Sequence, residues 1–588
     1  MRRWLVAVLL TAVAAAPPIA AGAARAQPAD ASTQATDRMV VDGDVGRSGG
    51  TLVVAARAEP KTFNPIAALD SPSRDVIWRM QADLIHINRE TQRAEPALAR
   101  AWTVSPDGLH YVINLRRGVR FSDGHPFDAD DVVFSFNAYL DERLHAAQRD
   151  LLLIGGKPIA VRKIDALTIG VDLPAPYAAA ERLFDSVAIL PRHRLEAPWK
   201  AGTLAAAWGV ATAPAEIVGL GPFRLERFRP GEDIVLARNP NYWKEDRAHT
   251  PLPYLARLTF AVVPSEEAQV VRLRAGELDV LNRVSTQHAA TLDRDQASAP
   301  YVLRDLGPGL EYHFLFFNQN ESVPAAVRAK QAWFGDDRFR RAISLAIDRA
   351  SLVRLAYSGR GTPIWGHVTP GNRLWANTAI AHPAASTAAA LALLTQAGFT
   401  RGADGTLADA RGTAVSFSIL VAAGNAALND MAAIVQDDLR KLGITVQIAA
   451  LDFSAVLSRV LESHDYDACL LRLVSGDVDP NPEMNVWLSN GPTHLWHPLQ
   501  TKPATDWEAE VDRLMREQMT TLDAAARKQL YDRVQAIVAE KLPLVPLVSP
   551  NIIVAAKRTL GNFRPAVLDH YTLWNAEQLF WRTAEGRR

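Results

Sequence analysis

The stretch DVDPNPE, which begins at Asp477, holds the densest set of side chains that could do chemistry. Asp477, Asp479 and Asn481 have the 1, 3, 5 spacing of the ligands in a calcium-binding loop. Pro482, however, stands where such a loop needs glycine, and Leu488 stands where it needs a bidentate glutamate. Calcium is therefore not predicted here. Two interpretations of Asp477 stay open: a solvated loop carboxylate, or a counter-charge for a cationic group of a ligand.

Motifs of common enzyme chemistries give no positive signal. The sequence contains neither an H-E-x-x-H zinc motif nor a G-x-x-x-x-G-K-[ST] phosphate loop. The glycines of GRGTPIWG lack the spacing of a dinucleotide-binding loop, and they follow a helical pattern, which favours a turn. His494 and His497 in HLWH are only three residues apart, a spacing that is common by chance. We therefore predict no catalytic residue, no cofactor and no metal site.

The first 26 residues have the pattern of a secretory signal peptide. Arg2 and Arg3 precede an apolar run, two prolines interrupt that run, and Ala24-Arg25-Ala26 supplies the A-x-A cleavage pattern. The run is too short for a spanning helix, so no stable membrane insertion is predicted. The mature protein is expected to begin at Gln27 and to be periplasmic.

Charge and cysteine content narrow the possible partners. Without the three arginines of the signal peptide, 61 basic side chains remain against 64 acidic ones. Such a balance gives no electrostatic reason to expect nucleic acid or an anionic membrane as a partner. Cys469 is the only cysteine, which excludes an internal disulfide, and its apolar neighbours predict a buried strand thiol.

The elements that must position Asp477 follow from patterns of hydrophobicity. At 588 residues the chain is too long for one core, so two or more lobes are expected. Strands and helices alternate between residues 414 and 475, as AVSFSILV, DMAAIVQDDLRKLG, ITVQI, FSAVLSRVLES and YDACLLRLV. This alternation predicts an α/β lobe with parallel strands, whose carboxyl ends are where ligands gather. The third strand runs directly into Asp477.

Three further segments have clear local patterns. FRRAISLAIDRASLV is predicted to be one helix, and DAAARKQLYDRVQAIVAEKL a second helix capped by Asp523. Residues 27–49 are small and polar without sustained periodicity, which predicts a flexible leader.

Several motifs occur in the order that is typical of one protein family. They are EPKTFNP, LARAWTVSPDGLHYVINLRRGVRFSDGHPFDADDVVFSF, GLGPFRLERFRPGEDIVLARNPNYW, LRAGELDV, FRRAISLAIDRASLV, LRKLGITVQI and TTLDAAARKQLYDRVQAIVAEKLPLVPLV. From Gly50 to Leu579 the chain thus resembles family 5 of the bacterial extracellular solute-binding proteins, the dipeptide and oligopeptide receptors of ABC importers. One departure is the segment 472–475, Arg-Leu-Val-Ser, where the family often has Gly-Trp.

The resemblance implies an α/β fold of the two-lobe periplasmic-binding-protein (Venus-flytrap) type, with two hinge crossings. On this chain lobe I would comprise 50–92, 218–306 and 548–588, an inserted subdomain would comprise 93–217, and lobe II would comprise 307–547. The crossings would be LEYHFLFFN and LPLVPLVS. The hairpin block would belong to the scaffold, which implies that Tyr242 and Trp243 are core residues.

The resemblance also implies a ligand site. In peptide-binding members an aspartate beyond the third strand pairs with the ligand's α-amino group, and the ligand main chain bonds to strands of the protein. That position falls on Asp477, with Asp479 as the alternative. Glu311 and Tyr312, at the start of the first crossing, complete the predicted ligand-binding residues. The departure at 472–475 removes an aromatic wall and leaves the ligand's identity open.

The predicted function is that of a monomeric periplasmic receptor. It would capture a di- or oligopeptide by lobe closure and deliver it to the permease subunits of an ABC importer and their ATPases. Three alternatives stay open: the same fold binding an oligosaccharide, haem or a nickel complex, a receptor that no longer serves transport, and a secreted hydrolase or metalloenzyme.

Overall fold

One 14-residue strand, Leu544–Lys557, runs through the middle of the largest sheet and joins its two halves. The structure is a computed structural model that describes residues 37–583, so the predicted signal peptide lies outside the described residues. The strands are β1 Met39–Val40, β2 Thr51–Ala56, β3 Ile85–Ile87, β4 Ala94–Pro96, β5 Ala99–Val104, β6 His110–Leu115, β7 Leu153–Ile154, β8 Lys157–Pro158, β9 Ala160–Asp165, β10 Thr168–Asp172, β11 Phe223–Arg229, β12 Asp233–Arg238, β13 Lys244–Glu245, β14 Arg257–Val262, β15 Val280–Leu281, β16 Tyr301–Pro308, β17 Glu311–Phe317, β18 Gly361–Pro363, β19 Thr400–Arg401, β20 Leu407–Ala408, β21 Ser416–Ala422, β22 Thr445–Leu451, β23 Ala468–Val474, β24 Leu544–Lys557, β25 Leu560–Gly561 and β26 Phe580–Trp581.

The helices surround these strands. They are α1 Ser71–Met80, α2 Ala129–Leu140, α3 Ala180–Leu183, α4 Arg192–Lys200, α5 Glu266–Arg274, α6 Thr286–Asp295, α7 Ala325–Arg328, α8 Gln331–Phe334, α9 Asp337–Ala346, α10 Arg349–Ala356, α11 Thr387–Gln396, α12 Ala426–Arg440, α13 Phe453–Ser458, α14 Met484–Trp487, α15 Asp506–Thr520 and α16 Ala524–Lys541. Among residues 37–583, no helix has both the length and the apolar character that crossing a bilayer requires.

The largest sheet divides into two lobes along β24. Its order is β11-β12-β14-β2-β15-β24-β17-β23-β21-β22, and β16 and β18 also pair with β24. The last residues of β24 pair with β15 and β16 in lobe I, where Ala556 lies opposite both Val280 and Val302. The first residues pair with β17 in lobe II, where Leu544 lies opposite Phe316. The chain therefore crosses between lobes at β16–β17 and again within β24.

The strand and helix alternation in lobe II confirms the α/β prediction. β21 pairs in parallel with β22 on one side and with β23 on the other, and α12 and α13 connect these strands. Asn425 caps α12 by accepting a hydrogen bond from the Leu428 amide, and the chain leaves this helix through Gly443 at a φ of 87°. As predicted, Asp523 caps α16.

Apolar side chains cover both faces of the lobe II sheet. One face carries a cluster that includes Phe317, Phe339 and Val435, and the other carries a cluster that includes Phe314 and Trp487. This two-sided burial explains why residues 419–422 of β21 and 468–471 of β23 are uninterrupted apolar runs rather than alternating ones.

The inserted subdomain is built on the antiparallel sheet β5-β6-β10-β9, with α2 against β9. Its core is continuous with that of lobe I, because one apolar cluster contains side chains from both. Tyr242 and Trp243 lie in this cluster, 4% and 2% exposed, which confirms that they are core residues. The Trp243 indole donates to the Leu220 carbonyl at 3.0 Å.

Two local predictions were wrong. The predicted helix FRRAISLAIDRASLV is two helices, α9 and α10, because Asp348 stops the first and caps the second through the amides of Ala350 and Ser351. The predicted leader, residues 27–49, is described from residue 37 onward, and this part contains a strand where none was predicted. Met39 and Val40 form β1 in parallel with β13, and the Met39 amide donates to the Trp243 carbonyl. This strand is only two residues long, too short for a periodic pattern, and Met39 and Val41 pack against the lobe I core beside it.

Candidate functional site

The loop 475–483 lies where the α/β topology directs a ligand. It follows β23, whose parallel neighbour β21 ends on the same side of the sheet, so the loop sits beyond the carboxyl ends of the strands. Two hydrogen bonds hold the conformation of the loop. The Asn372 side-chain amide of lobe II donates to the Val478 carbonyl at 2.7 Å, and within the loop the Ser475 hydroxyl donates to the Asp477 carbonyl at 2.6 Å.

Asp477 faces the inserted subdomain and is paired there. Both of its carboxylate oxygens accept hydrogen bonds from the guanidinium of Arg182, which lies in α3. The Arg182 side chain is 15% exposed and that of Asp477 is 29% exposed. Asp477 already has a cationic partner in the protein. A ligand ammonium could therefore pair with Asp477, as predicted, only by taking the place of Arg182.

Three further hydrogen bonds join the inserted subdomain and lobe I to lobe II near this pair. The buried Gln92 side chain, between β3 and β4, donates to the Gly371 carbonyl at 2.7 Å and accepts from the Arg373 amide at 2.9 Å. The Ala178 amide donates to the Met519 carbonyl at 2.8 Å. The loop 475–483 therefore lies at the boundary between lobe II and residues 89–92 and 178–182, and this boundary is the candidate ligand cleft.

Asp479 has a structural partner that the sequence did not indicate. Arg527 of α16 donates to both of its oxygens at 2.7 Å, and both side chains are only 5% exposed. The guanidinium carbon of Arg527 also lies 4.8 Å from the centre of the Trp375 ring. With both oxygens engaged inside lobe II, Asp479 is not available to a ligand as the alternative to Asp477.

Glu311 lies at the junction of the two lobes, where β17 begins. Its carboxylate accepts from Arg283 at 3.1 Å and from Arg472 at 3.0 Å, and its carbonyl accepts from the Ser549 hydroxyl of β24. Burial alone would raise the pKa of Glu311, but the two arginines and the nearby His313 outweigh it and lower that pKa. Glu311 therefore bonds to protein groups where the two lobes meet, whereas the sequence predicted that it would contact the ligand.

Tyr312, the other crossing residue predicted to contact ligand, is buried in lobe II. It is 2% exposed, and its ring centre lies 5.4 Å from that of Phe314. Burial raises the pKa of its hydroxyl well above the usual value. Tyr312 therefore packs into the core, because alternate side chains of a strand covered on both sides have no solvent to face.

Glu483, at the end of the loop, is an acidic residue that the sequence analysis missed. Its Oε2 atom accepts from the Trp487 indole at 3.1 Å and from the Tyr531 hydroxyl at 3.0 Å. The nearest titratable nitrogen is His367 Nε2 at 3.9 Å, and burial lowers the pKa of His367 to about 3, which keeps the imidazole neutral. Burial raises the pKa of Glu483 itself.

A charged cluster lies behind Arg182 on the lobe I side. Arg89 donates to both oxygens of Asp185, and Asp83 and Asp185 lie within 3.4 Å of His86 Nδ1. Asp83, His86 and Asp185 could in principle bring three ligand atoms to one metal ion. Burial would lower the pKa of His86, but the two carboxylates outweigh it and raise that pKa to about 9. A metal ion would have to displace the imidazole proton, and the positive charge of Arg89 on Asp185 opposes a further cation at this cluster.

The same cluster borders a partly open cavity of about 70 Å³ in lobe I. Arg79, Lys244 and Glu577 also line it, and the Lys244 ammonium lies 3.0 Å from the Glu577 carboxylate. The volume suits a few water molecules and is far below the roughly 300 Å³ that a small-molecule pocket needs. The cavity is therefore not the solute site.

The remaining candidates from the sequence have structural roles. His494 is buried and hydrogen-bonds the Val486 carbonyl through Nδ1, and it belongs to no group of three metal-binding side chains in residues 37–583. Cys469 is buried in β23 as predicted. The segment GRSGG, residues 46–50, has the G-x-S-x-G spacing, but it precedes β2 instead of joining a strand to a helix, so it is no nucleophile elbow.

Comparisons with known proteins agree with this architecture. The model of the family described as "Bacterial extracellular solute-binding proteins, family 5 Middle" matches residues 93–494. A "Probable ABC transporter-binding protein" of Deinococcus radiodurans is 27% identical over 550 residues, covering 89% of this chain and 91% of the relative. The "Oligopeptide-binding protein AppA" of Bacillus subtilis is 26% identical over 547 residues, covering 88% of this chain and 89% of the relative.

Solved structures share the fold. The substrate-binding protein CtaP of Listeria monocytogenes superposes with a TM-score of 0.73 at 20% identity, covering 91% of this chain and 100% of CtaP. AppA of Bacillus subtilis, solved in complex with a nonapeptide, gives a TM-score of 0.64 at 24% identity, covering 92% of this chain and 100% of AppA.

Proposed function

Because the chain belongs to family 5 of the bacterial extracellular solute-binding proteins, we propose that it captures a peptide between its lobes and delivers it to an ABC importer. The solute would bind between the loop 475–483 and the facing wall formed by residues 89–92 and 178–182. The partners would be the permease subunits and their ATPases, and the receptor would act as a periplasmic monomer.

The proposal is supported by the position of the loop 475–483, whose Asp477 pairs with Arg182 where lobe II meets the inserted subdomain. Asp477 projects from lobe II toward Arg182 of the inserted subdomain, and only β16–β17 and β24 connect the lobes through the sheet. A ligand that bridges the walls stabilises the closed arrangement by its difference in affinity for the closed and open states.

A peptide suits this cleft in two respects. Its α-ammonium can replace the Arg182 guanidinium on Asp477, provided that an acceptor of the peptide, such as a carboxylate, then pairs with the released Arg182. Its main chain offers donors and acceptors to strand ends that are otherwise solvated. The relative AppA was solved with a nonapeptide, which supports a peptide over other solutes.

Other solutes of this fold remain the second candidate. A heme-binding protein of Haemophilus influenzae is 25% identical over 523 residues, and Arg182 and Arg89 beside the cleft would suit a ligand carboxylate. An enzyme is the less favoured alternative, because the family consists of transport receptors and the charged clusters described above are paired internally.

Extraction of copurifying ligand followed by mass spectrometry tests the proposal. Peptides are the expected finding, and calorimetry with a synthetic copy should give saturable binding of one peptide per chain. At a peptide concentration about 100-fold above Kd, the free energy of unfolding should rise by about 2.7 kcal/mol. Recovery of only a sugar, haem or a metal complex, with no binding of peptides, would overturn the peptide proposal.

Mass spectrometry of the exported protein tests its location. We expect the mature chain to begin at Gln27, which would follow from cleavage after Ala26. An exported chain that still begins at Met1 would contradict the periplasmic assignment.

A further inference from the structure

Arg79, which lines the cavity in lobe I, is a buried arginine without an acidic partner. It lies in the last turn of α1 and is 5% exposed. Within residues 37–583 its guanidinium forms no ion pair, and its one hydrogen bond runs from Nη1 to the Leu573 carbonyl. The Nε atom is buried and has no acceptor there. Because a guanidinium has five N–H donors, most of its bonding capacity is unused within the described part of the chain.

The other cationic side chains that line the cavity each have an acidic partner. The pairs are Arg89 with Asp185, Lys244 with Glu577, and the protonated His86 with Asp83. His570 also lines the cavity, but burial outweighs the attraction of Asp75 and lowers the pKa of this imidazole, so it is neutral at neutral pH. The charges of the three pairs cancel, which leaves the charge of Arg79 uncompensated at the cavity.

Two carboxylates act on Arg79 from beyond ion-pair distance, and both are engaged elsewhere. Glu577 lies 3.0 Å from the Lys244 ammonium, and Asp75 lies 3.1 Å from His570 Nδ1. The Asp75 side chain is 40% exposed, so water screens much of its charge. Burial lowers the pKa of Arg79 to about 10, which leaves the guanidinium charged at neutral pH. A buried charge in this state is energetically costly until a counter-ion joins it.

The cavity gives a counter-ion both room and access. Its volume is about 70 Å³, and it is partly open. One water molecule needs roughly 10–15 Å³ of such space, so a halide ion or a carboxylate of one or two carbons fits, whereas a drug-sized molecule does not. An ion here would lie between α1, β13 and the segment 570–577, which are far apart in the chain.

We propose that the lobe I cavity binds a small monoanion, either a halide or a short carboxylate, through the guanidinium of Arg79. One uncompensated positive charge requires one negative charge, and the unbonded N–H groups of Arg79 supply charge-assisted hydrogen bonds. The bound ion would connect α1 to the C-terminal segment and stabilise lobe I. No residue of the loop 475–483 lines the cavity, so the proposal does not depend on which solute is transported.

Thermal melts in different sodium salts test the site. The whole protein is first dialysed into sodium gluconate, whose anion is too large for the cavity, and gluconate is then replaced by chloride, formate or acetate at constant ionic strength. At least one of the three ions should raise the melting temperature saturably. A rise with chloride identifies a halide site, and a rise with formate or acetate but not with chloride identifies a carboxylate site. Equal melting temperatures in all four salts would overturn the proposal.

A variant assigns the effect to Arg79. Arg79→Gln should weaken the apparent affinity for the stabilising anion at least about tenfold, which corresponds to the loss of one charge-assisted hydrogen bond. Arg257→Gln is the matched control, because it removes a surface arginine of lobe I that pairs with Glu226, and it should leave the anion effect unchanged. An undiminished anion effect in folded Arg79→Gln would overturn the site.

Diffraction from wild-type crystals tests the site without any variant. For a halide site, crystals in sodium bromide should give an anomalous peak in the cavity next to the Arg79 guanidinium. For a carboxylate site, crystals in sodium formate should show formate there. A cavity that holds only water in both salts would contradict the proposal. An ion in the crystal without a saturable rise in melting temperature would mean binding at crystal concentration only, and would also overturn it.

Discussion

Replacing Arg182 by glutamine should release Asp477 for a ligand. In the structure Arg182 occupies both oxygens of this carboxylate, so a peptide ammonium must displace the guanidinium before it can bind there. The two side chains are 15% and 29% exposed, which places the pair between a surface ion pair, worth up to about 1 kcal/mol, and a buried one, which costs roughly 3 to 5 kcal/mol to break. A value of about 1.5 kcal/mol is therefore expected for the pair, equivalent to about tenfold in affinity.

The assay is titration calorimetry with a free-amine tripeptide and its N-acetylated form. We expect Arg182→Gln to strengthen binding of the free-amine peptide about tenfold and to change binding of the acetylated form little. Asp477→Asn should weaken binding of the free-amine peptide by at least about 30-fold, because an unpaired Arg182 then repels the ammonium. Arg194→Gln, which removes a surface partner of Asp123 in the same subdomain, is the matched control. Equal weakening of both peptides by Arg182→Gln would refute the displacement idea and make Arg182 a contact for the ligand or for closure.

Three further predictions concern paired or buried groups. Asp479→Asn should lower the free energy of unfolding in urea by about 3 kcal/mol, because the substitution leaves Arg527 buried and unpaired. The same variant should leave the preference among peptides unchanged. Weaker peptide binding at unaltered stability would contradict this prediction. Burial would raise the pKa of Glu577, but the ion pair with Lys244 outweighs burial and lowers that pKa. The Glu577 carboxylate therefore stabilises the folded protein above about pH 4.5, and this stabilisation is lost as the pH falls below that value. In thermal melts, Glu577→Gln should reduce the loss of stability at acid pH. Burial raises the pKa of Cys469, so the native protein should not react with a thiol reagent until urea unfolds it, and rapid native labelling would argue against a buried thiol.

Local patterns of apolar residues were sufficient to predict the α/β structure of lobe II. The apolar runs 419–422 of β21 and 468–471 of β23 and the 3.6-residue period of α12 predict an α/β lobe with parallel strands, because such runs need cover on both faces of the sheet. The break between α9 and α10 escaped, although Asp348 is a good capping residue, because the apolar period continues across it. β1 escaped because it is only two residues long, so its apolar side chains form no alternating pattern.

The sequence predicted where the candidate site lies, but it did not predict the ion-pair partners of Asp477 and Asp479. The end of β23 located the loop and therefore Asp477, by a general property of parallel sheets. The identity of its partner was out of reach, because Arg182 lies 295 residues away in the chain and nothing near it marks the contact. Asp479 and Asp477 look alike in the sequence, and only burial of Arg527 beneath the loop distinguishes a structural carboxylate from one that faces the cleft.

The central position of β24 has a consequence for how the chain reaches its native state. Both halves of the large sheet close on this strand, and its residues lie within the last tenth of the chain. During synthesis β15, β16 and β17 would present open edges until residue 557 has emerged, and contacts so distant in sequence form slowly. Neither lobe can finish folding while the chain is still being made. The late position of this strand thus delays completion of both lobes until synthesis is nearly finished, and a truncation before β24 would leave strand edges of both lobes unpaired.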